Sequence, residues 1–170
     1  MRRLVLGCLL AMTGLTGCQE TDAPLVTPSG PTVIAATDID QGRYLVAIGG
    51  CNDCHTPGYA PSGGEVPEAG RLMGNPVGYG GPWGVTYAAN LRLSVAGMTE
   101  DAWVEMLHTR RSAPPMPWPS VRAMSESDKR AVYRYIASLG PGGEKAPTAL
   151  PPGVKPTTPV ENMMPVMPDA

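Results

Sequence analysis

The chain contains no phenylalanine, and its aromatic side chains are three Trp and six Tyr, 5% of 170 residues. Aromatic side chains usually dominate a core of this size, so an aromatic-packed interior is excluded and something else must fill the space. Charge is scarce as well: 16% of residues are charged, 13 basic against 15 acidic, for a formal net charge of −2. Phosphate binding needs a surplus of Lys and Arg, which excludes nucleic acid as a partner. No apolar run reaches the 18 residues that would suggest a mature membrane span, so a polytopic membrane protein is excluded. The abundant residues are 21 Gly and 20 Pro, too many for a long regular bundle or an uninterrupted sheet. The length suggests one domain.

The amino terminus carries its own instruction. Arg2 and Arg3 form a positive start and Leu4 to Leu15 an apolar stretch too short to span a bilayer, the pattern of an export signal. The stretch ends in Leu15-Thr16-Gly17-Cys18, which resembles the lipobox of bacterial lipoproteins. That resemblance implies cleavage before Cys18, lipidation of its sulfur and acylation of the new amino terminus, enough for stable membrane anchoring. Ordinary signal cleavage, with Cys18 left as a free thiol, is the alternative. An Asp after the lipidated Cys favours the inner membrane, and Gln19 there leans toward the outer one, with both membranes left open. Loss of residues 1–17 removes two Arg and no acid, leaving 11 basic and 15 acidic residues.

With Cys8 in the signal and Cys18 at the lipid site, the remaining cysteines are Cys51 and Cys54, in Cys51-Asn52-Asp53-Cys54-His55. In an exported chain, C-x-x-C-H reads as covalent haem attachment. Two intervening residues let both sulfurs reach the vinyl groups of one porphyrin, and the next residue brings an imidazole beneath the iron. His55 is then the proximal ligand. A redox dithiol and half a zinc site share the C-x-x-C spacing. The first lacks a surrounding βαβ pattern, and the second lacks another ligand pair, since the only other histidine is His108.

Residues 40 to 140 resemble a class I c-type cytochrome domain. The likeness is greatest to the small haem domains that accept electrons from periplasmic dehydrogenases of alcohols, aldehydes and N-heterocycles. It is carried by Gly42-Arg43-Tyr44-Leu45-Val46, the haem motif followed by Thr56-Pro57, Met98-Thr99-Glu100-Asp101-Ala102-Trp103, Pro115-Met116-Pro117-Trp118 and Met124-Ser125-Glu126-Ser127-Asp128. It implies an all-α cytochrome c fold around one covalent haem. A single C-x-x-C-H departs from the two- and three-haem members and argues against a dihaem peroxidase.

The local signals agree with three helices. Thr37 or Asp38 caps the first, with Ile39, Tyr44, Leu45 and Ile48 near one face and Gly49-Gly50 as its stop. Thr99 caps the second, whose apolar face carries Trp103, Met106 and Leu107. Ser125 and Asp128 open the third, striped with Val132, Tyr135, Ile136 and Leu139. No strand pattern stands out. The 42 residues between His55 and Met98 are rich in Gly and without period, a length that needs a functional job such as wrapping a flat cofactor. Arg71, Tyr79, Trp83, Tyr87 and Asn90 are the candidates there to bond haem propionates or close its edge.

The sixth ligand decides what the iron does. Met116 lies in Pro114-Pro115-Met116-Pro117-Trp118-Pro119, where proline forbids regular structure and stiffens the loop, and its position matches the distal methionine of the resembled family. Met73 and Met98 are rivals, and His108 would give bis-His ligation. Ligation by His55 and Met116 leaves no open iron position and raises the potential relative to bis-His. The expectation is therefore an electron carrier rather than an enzyme by itself, alone or as a subunit of an oxidoreductase complex. Its partners would be a dehydrogenase donor and a cytochrome or oxidase acceptor. An open distal site would instead make a gas or peroxide binder, and a haem-free dithiol lipoprotein is the third option. Six of the 11 mature basic residues, Arg110, Arg111, Arg122, Lys129, Arg130 and Arg134, surround the distal loop and suggest an electropositive rim for an acidic partner.

The domain reading is residues 1–17 as signal peptide, 18–36 as a lipid-anchored flexible linker, and 37–140 as the cytochrome c domain. Residues 141–170, with eight prolines, read as an extended or disordered tail. The expected location is the periplasm, tethered to a membrane.

Overall fold

In the computed structural model, which describes residue 30 and residues 33–167, chain order begins with a capped helix. Thr37 Oγ1 accepts the Asp40 N–H at 3.1 Å and starts α1 (Asp38–Ile48), with Asp38 and Asp40 in the positive first turn. Gly50, at φ 64°, turns the chain into the short α2 (Cys51–His55). Asn90 caps α3 (Leu91–Ala96), Thr99 caps α4 (Glu100–Thr109) and Ser125 caps α6 (Glu126–Ser138). The proline-led α5 (Trp118–Ala123) lies between the last two. The signal peptide, Cys18 and most of the linker fall outside the described residues. No described helix is long and apolar enough to cross a membrane.

The closest helix contact is α1 against α6, and a glycine makes it. A Cβ on Gly42 would stand 2.0 Å from the Ala131 carbonyl oxygen and 2.8 Å from Tyr135 Cβ. This corrects the face expected for α1. Leu45 and Val46 are buried with Gln41 and Gly42, whereas Ile39, Tyr44 and Ile48 are 39%, 50% and 60% exposed. The contact face follows the residue that allows approach rather than the bulkiest side chains. Leu45, Val46, Leu72, Val95, Trp103, Val104, Leu107, Ala131, Val132, Tyr135 and Ile136 form the core, with Met98, Met106, Met124 and Leu139 packed at its margin.

Buried polar groups lock the helices in register. Arg92 donates to the carbonyls of Gly140 at 2.6 Å, Ala69 at 2.8 Å and Leu139, covering carbonyls just beyond the end of α6. Tyr135 donates to Glu68 at 2.9 Å, and burial, followed by that carboxylate, pushes its hydroxyl up to about 12.

The fold is helix-rich but not purely α, and the Gly-rich stretch holds the difference. β1 (Gly78–Gly81) and β2 (Gly84–Tyr87) form an antiparallel hairpin, and β3 (Val160–Asn162) pairs parallel to β1, giving the order β2-β1-β3. Strands of four residues with Gly-Tyr-Gly-Gly among them carry no apolar-polar alternation. The carboxy-terminal segment, expected as extended or disordered chain, is extended and bonded to the domain over 142–163. Asn90 Nδ2 donates to the carbonyls of Gly142 and Glu144 at 2.8 and 3.0 Å, and Leu150 exchanges backbone bonds with Val85. A Cβ on Gly84, at φ 94°, would stand 2.0 Å from the Leu150 carbonyl oxygen. Most of the bonds that the strap itself makes come from its backbone groups, which no side-chain pattern announces. Met163, Met164, Val166 and Met167 beyond it are exposed.

A charged cluster ties α1, α4 and α6 together at the surface. Arg134 meets Glu100 at 2.9 Å and also Asp38, while Arg130 reaches Asp101 at 2.7 Å, Glu126 at 2.7 Å and Glu100 at 3.1 Å. The Arg134 guanidinium, then that of Arg130, holds Glu100 below its ordinary value of 4.5. A depressed carboxylate adds stability above its unfolded value and loses it as pH falls through the folded one. Glu100→Gln is therefore expected to lower stability at pH 7 by about 1 kcal/mol and by less at pH 3. Urea titrations at the two pH values check this.

Candidate functional site

The helix α2 is little more than one turn, and its spacing sets the geometry. Cys51 and Cys54 are three residues apart and so lie on one side of the turn, with His55 following. The two sulfurs are not bonded to each other. Burial, then the charges of Asp53 and Cys54, push the Cys51 thiol up to about 11. That is the reverse of a reactive redox thiol, whose value is lowered. Tyr79 on β1 is buried against Cys54, and burial first, then the Cys54 side chain, raises its hydroxyl.

His55 is buried and held from behind. Its Nδ1 lies 2.7 Å from the Ala89 carbonyl oxygen. A carbonyl only accepts, so Nδ1 carries the proton and Nε2 presents a lone pair. Burial lowers the pKa of the imidazole, partly offset by the Ala89 bond, and so favours the neutral form that can ligate a metal. The surrounding backbone is fixed just as firmly. Thr56 donates to Asn52 at 2.9 Å and accepts the Leu72 N–H at 2.8 Å, while the Gly74 N–H donates to the His55 carbonyl at 2.9 Å. Leu72, wholly buried, sits at φ 61°, a left-handed conformation that costs on the order of 1 kcal/mol and that these bonds hold in place.

Met116 lies half-buried in the loop from α4 to α5. Thr86 Oγ1 donates to the Pro114 carbonyl at 2.7 Å, so segment 86–89 grips the Met116 loop at one end and His55 at the other. Three extended residues span about 10 Å. Met116 borders a surface cavity with Arg111, Ser112, Pro114, Trp118, Pro119 and Arg122. The Arg110 guanidinium sits 5.3 Å from the Trp118 ring centre. The Trp118 indole Nε1 is buried with no hydrogen-bond partner among the described residues, an omission worth about 1–3 kcal/mol if nothing accepts the proton.

The rival and edge residues are otherwise engaged. Met73 packs beneath Gly142 and Gly143, the Met98 side chain packs at the margin of the core, and His108 Nδ1 lies 2.9 Å from Lys129 Nζ. Of the residues named for the cofactor edge, Asn90 caps α3 and binds the strap, Arg71 donates to Val66 O, Trp83 to Tyr79 O, and Tyr87 meets Thr158. Among the described residues, no three His, Cys, Asp or Glu side chains converge as a metal site. Sequence reasoning does not find Ala89 or Thr86, because a backbone carbonyl has no residue signature and a lone threonine in a loop has little more. Trp118 is legible only as part of the Pro115-Met116-Pro117-Trp118 motif.

No family model and no solved structure matches the chain. The chain is similar to a nicotinate dehydrogenase subunit of Pseudomonas putida, with 29% identity over 156 residues. The alignment covers 84% of this chain and 12% of that protein, so the chain spans about an eighth of the relative's length.

Proposed function

We propose that this chain is a monohaem c-type cytochrome, with a cytochrome c fold, that carries single electrons in the cell envelope between a periplasmic dehydrogenase and the respiratory chain. The observation that carries the reading is His55: at the end of a C-x-x-C-H turn, it is buried, with Nδ1 bound to Ala89 O and Nε2 left as the ligating atom. A backbone carbonyl on the far nitrogen is a usual partner of a metal-bound imidazole. Cys51 and Cys54 would hold one haem through thioethers, His55 would be the proximal ligand and Met116 the distal one. The haem supplies a one-electron ferric-ferrous couple. A cofactor that bears carboxylates would supply acceptors of the kind that the buried Trp118 N–H lacks among the described residues.

Similarity to a nicotinate dehydrogenase subunit supports a role within an oxidoreductase complex, with a dehydrogenase subunit as donor. In this reading the chain has no catalytic residue of its own. In the same reading, Cys18 would carry a lipid tether that holds the chain in the periplasm.

Absorption spectra of the protein matured in a host that attaches haem c test the distal assignment. The expected result is a low-spin spectrum with a sulfur-to-iron charge-transfer band, unchanged by carbon monoxide after reduction. In Met116→Ala the band is expected to vanish and carbon monoxide to bind. High-spin iron that binds carbon monoxide in the wild type would favour the gas-binding alternative.

Three of the six basic residues around the distal loop support an electropositive rim in this reading. Lys129 is buried, and Arg130 and Arg134 are paired with carboxylates. Arg110, Arg111 and Arg122 instead contact Trp118, Met106 or backbone carbonyls, and Arg111 and Arg122 line the cavity that Met116 borders. These three would steer an acidic redox partner to the distal edge. Arg110→Glu with Arg111→Glu is expected to slow reduction by that partner about tenfold or more at low salt, an effect that fades at high ionic strength. Stopped-flow reduction across a salt series measures it.

A further inference from the structure

Lys129 is wholly buried on α6, although its side chain ends in an ammonium. Burying an ammonium costs several kcal/mol unless hydrogen bonds compensate. Lys129 has two such partners: Nζ lies 2.9 Å from His108 Nδ1 and 3.0 Å from the Arg122 carbonyl oxygen. Their places in the chain matter most. His108 is in the last turn of α4 and Arg122 in the last turn of α5, so the two partners bracket the proline loop that carries Met116. Arg122 closes the bracket by donating from its guanidinium to the Arg110 carbonyl at 3.2 Å. On the other side, Trp103 Nε1 donates to the Lys129 carbonyl at 3.2 Å, pinning α6 to α4 at this level. Burial lowers the Lys129 pKa, opposed by the charge of Glu126.

We propose that Lys129 is a positioning residue for the distal ligand, a buried clamp that joins the ends of α4 and α5 and so holds the Met116 loop closed. The inference rests on Met116 being the sixth iron ligand. A thioether is a neutral ligand on a loop whose prolines make few backbone bonds of their own. Its retention at the iron then depends on what fixes the loop ends. Lys129 and His108 fix them without touching the ligand.

The test compares holoprotein variants by charge-transfer band and by the rate at which the reduced form binds carbon monoxide. Lys129→Met keeps the length and apolar contacts of the side chain without its donor. His108→Ala removes the acceptor at a half-exposed helix end, where loss of fold is not expected. His108→Gln restores an acceptor. The clamp requires Lys129→Met and His108→Ala to weaken the band and to bind carbon monoxide at least tenfold faster than wild type, with His108→Gln close to wild type. Haem content and helical circular dichroism should match throughout. A wild-type band that survives unchanged in both disrupting variants, with no gain in carbon monoxide binding, overturns the clamp and leaves the Met116 assignment standing. Absence of the band from the wild type itself overturns both.

Discussion

A chain in which Cys51 and Cys54 are both replaced by Ala is expected to carry no covalently bound haem after expression in a competent host. The pair lies on one side of a five-residue helix whose start is set by Gly50, and nothing else among the described residues offers a second thiol. Either single variant keeps one thioether and is expected to retain haem with a shifted reduced-state absorption maximum. The double variant has a further consequence for stability. Without Phe and with 5% aromatics, the interior would, in the proposed reading, draw contact area from the haem. The double variant should melt well below the holoprotein, because a group bound only to the folded state stabilises it. Haem staining of a denaturing gel and a thermal melt read the two effects. Full haem retention in the double variant would remove the chemical basis of the assignment.

Gly42→Val is expected to be strongly destabilising. Its Cβ would meet the Ala131 carbonyl at 2.0 Å, and neither α1 nor α6 can move aside without unpacking Val46, Val132 and Ile136, which lie in the same core. Overpacking of this kind costs about 3 kcal/mol, a large part of the roughly 5–15 kcal/mol typical of a folded domain. A fall in melting temperature of about 10 °C is the expected size. Ile48→Ala on the same helix, at a position 60% exposed, should change stability by less than about 0.5 kcal/mol. The pair of variants separates a contact face set by Gly42 from one set by the large apolar residues. Equal effects would show that the crossing is looser than a 2.0 Å approach implies.

The contrast between those two positions also shows what is readable from residues alone. The caps at Thr37, Thr99 and Ser125 are legible because a hydroxyl before an acidic first turn has a local cause. The stripe of α6 is legible because Val132, Tyr135 and Ile136 recur at helical spacing. The face of α1 is not, since its defining residue is a glycine whose role appears only when a second helix lies against it. The sheet and the strap escape the eye for a related reason. β1 is mostly glycine, and its parallel partner β3 lies about eighty residues further on, so neither local alternation nor proximity marks the pairing. At the candidate site, spacing and resemblance name Cys51, Cys54, His55 and Met116. The groups that hold them are not written in any motif. Ala89 acts through its carbonyl, Thr86 through one bond to Pro114, and Lys129 reads as a surface charge in the sequence yet is buried in the fold.

The central claim is that Cys51 and Cys54 join this chain to one haem with His55 as its proximal ligand. Its most direct test is the intact mass of the matured wild-type protein, followed by mapping of the haem-bearing peptide. The expected result is the addition of one haem per chain, resistant to acidic extraction and located on the peptide containing residues 51–55. A mass without haem, or haem that extracts freely, would contradict it.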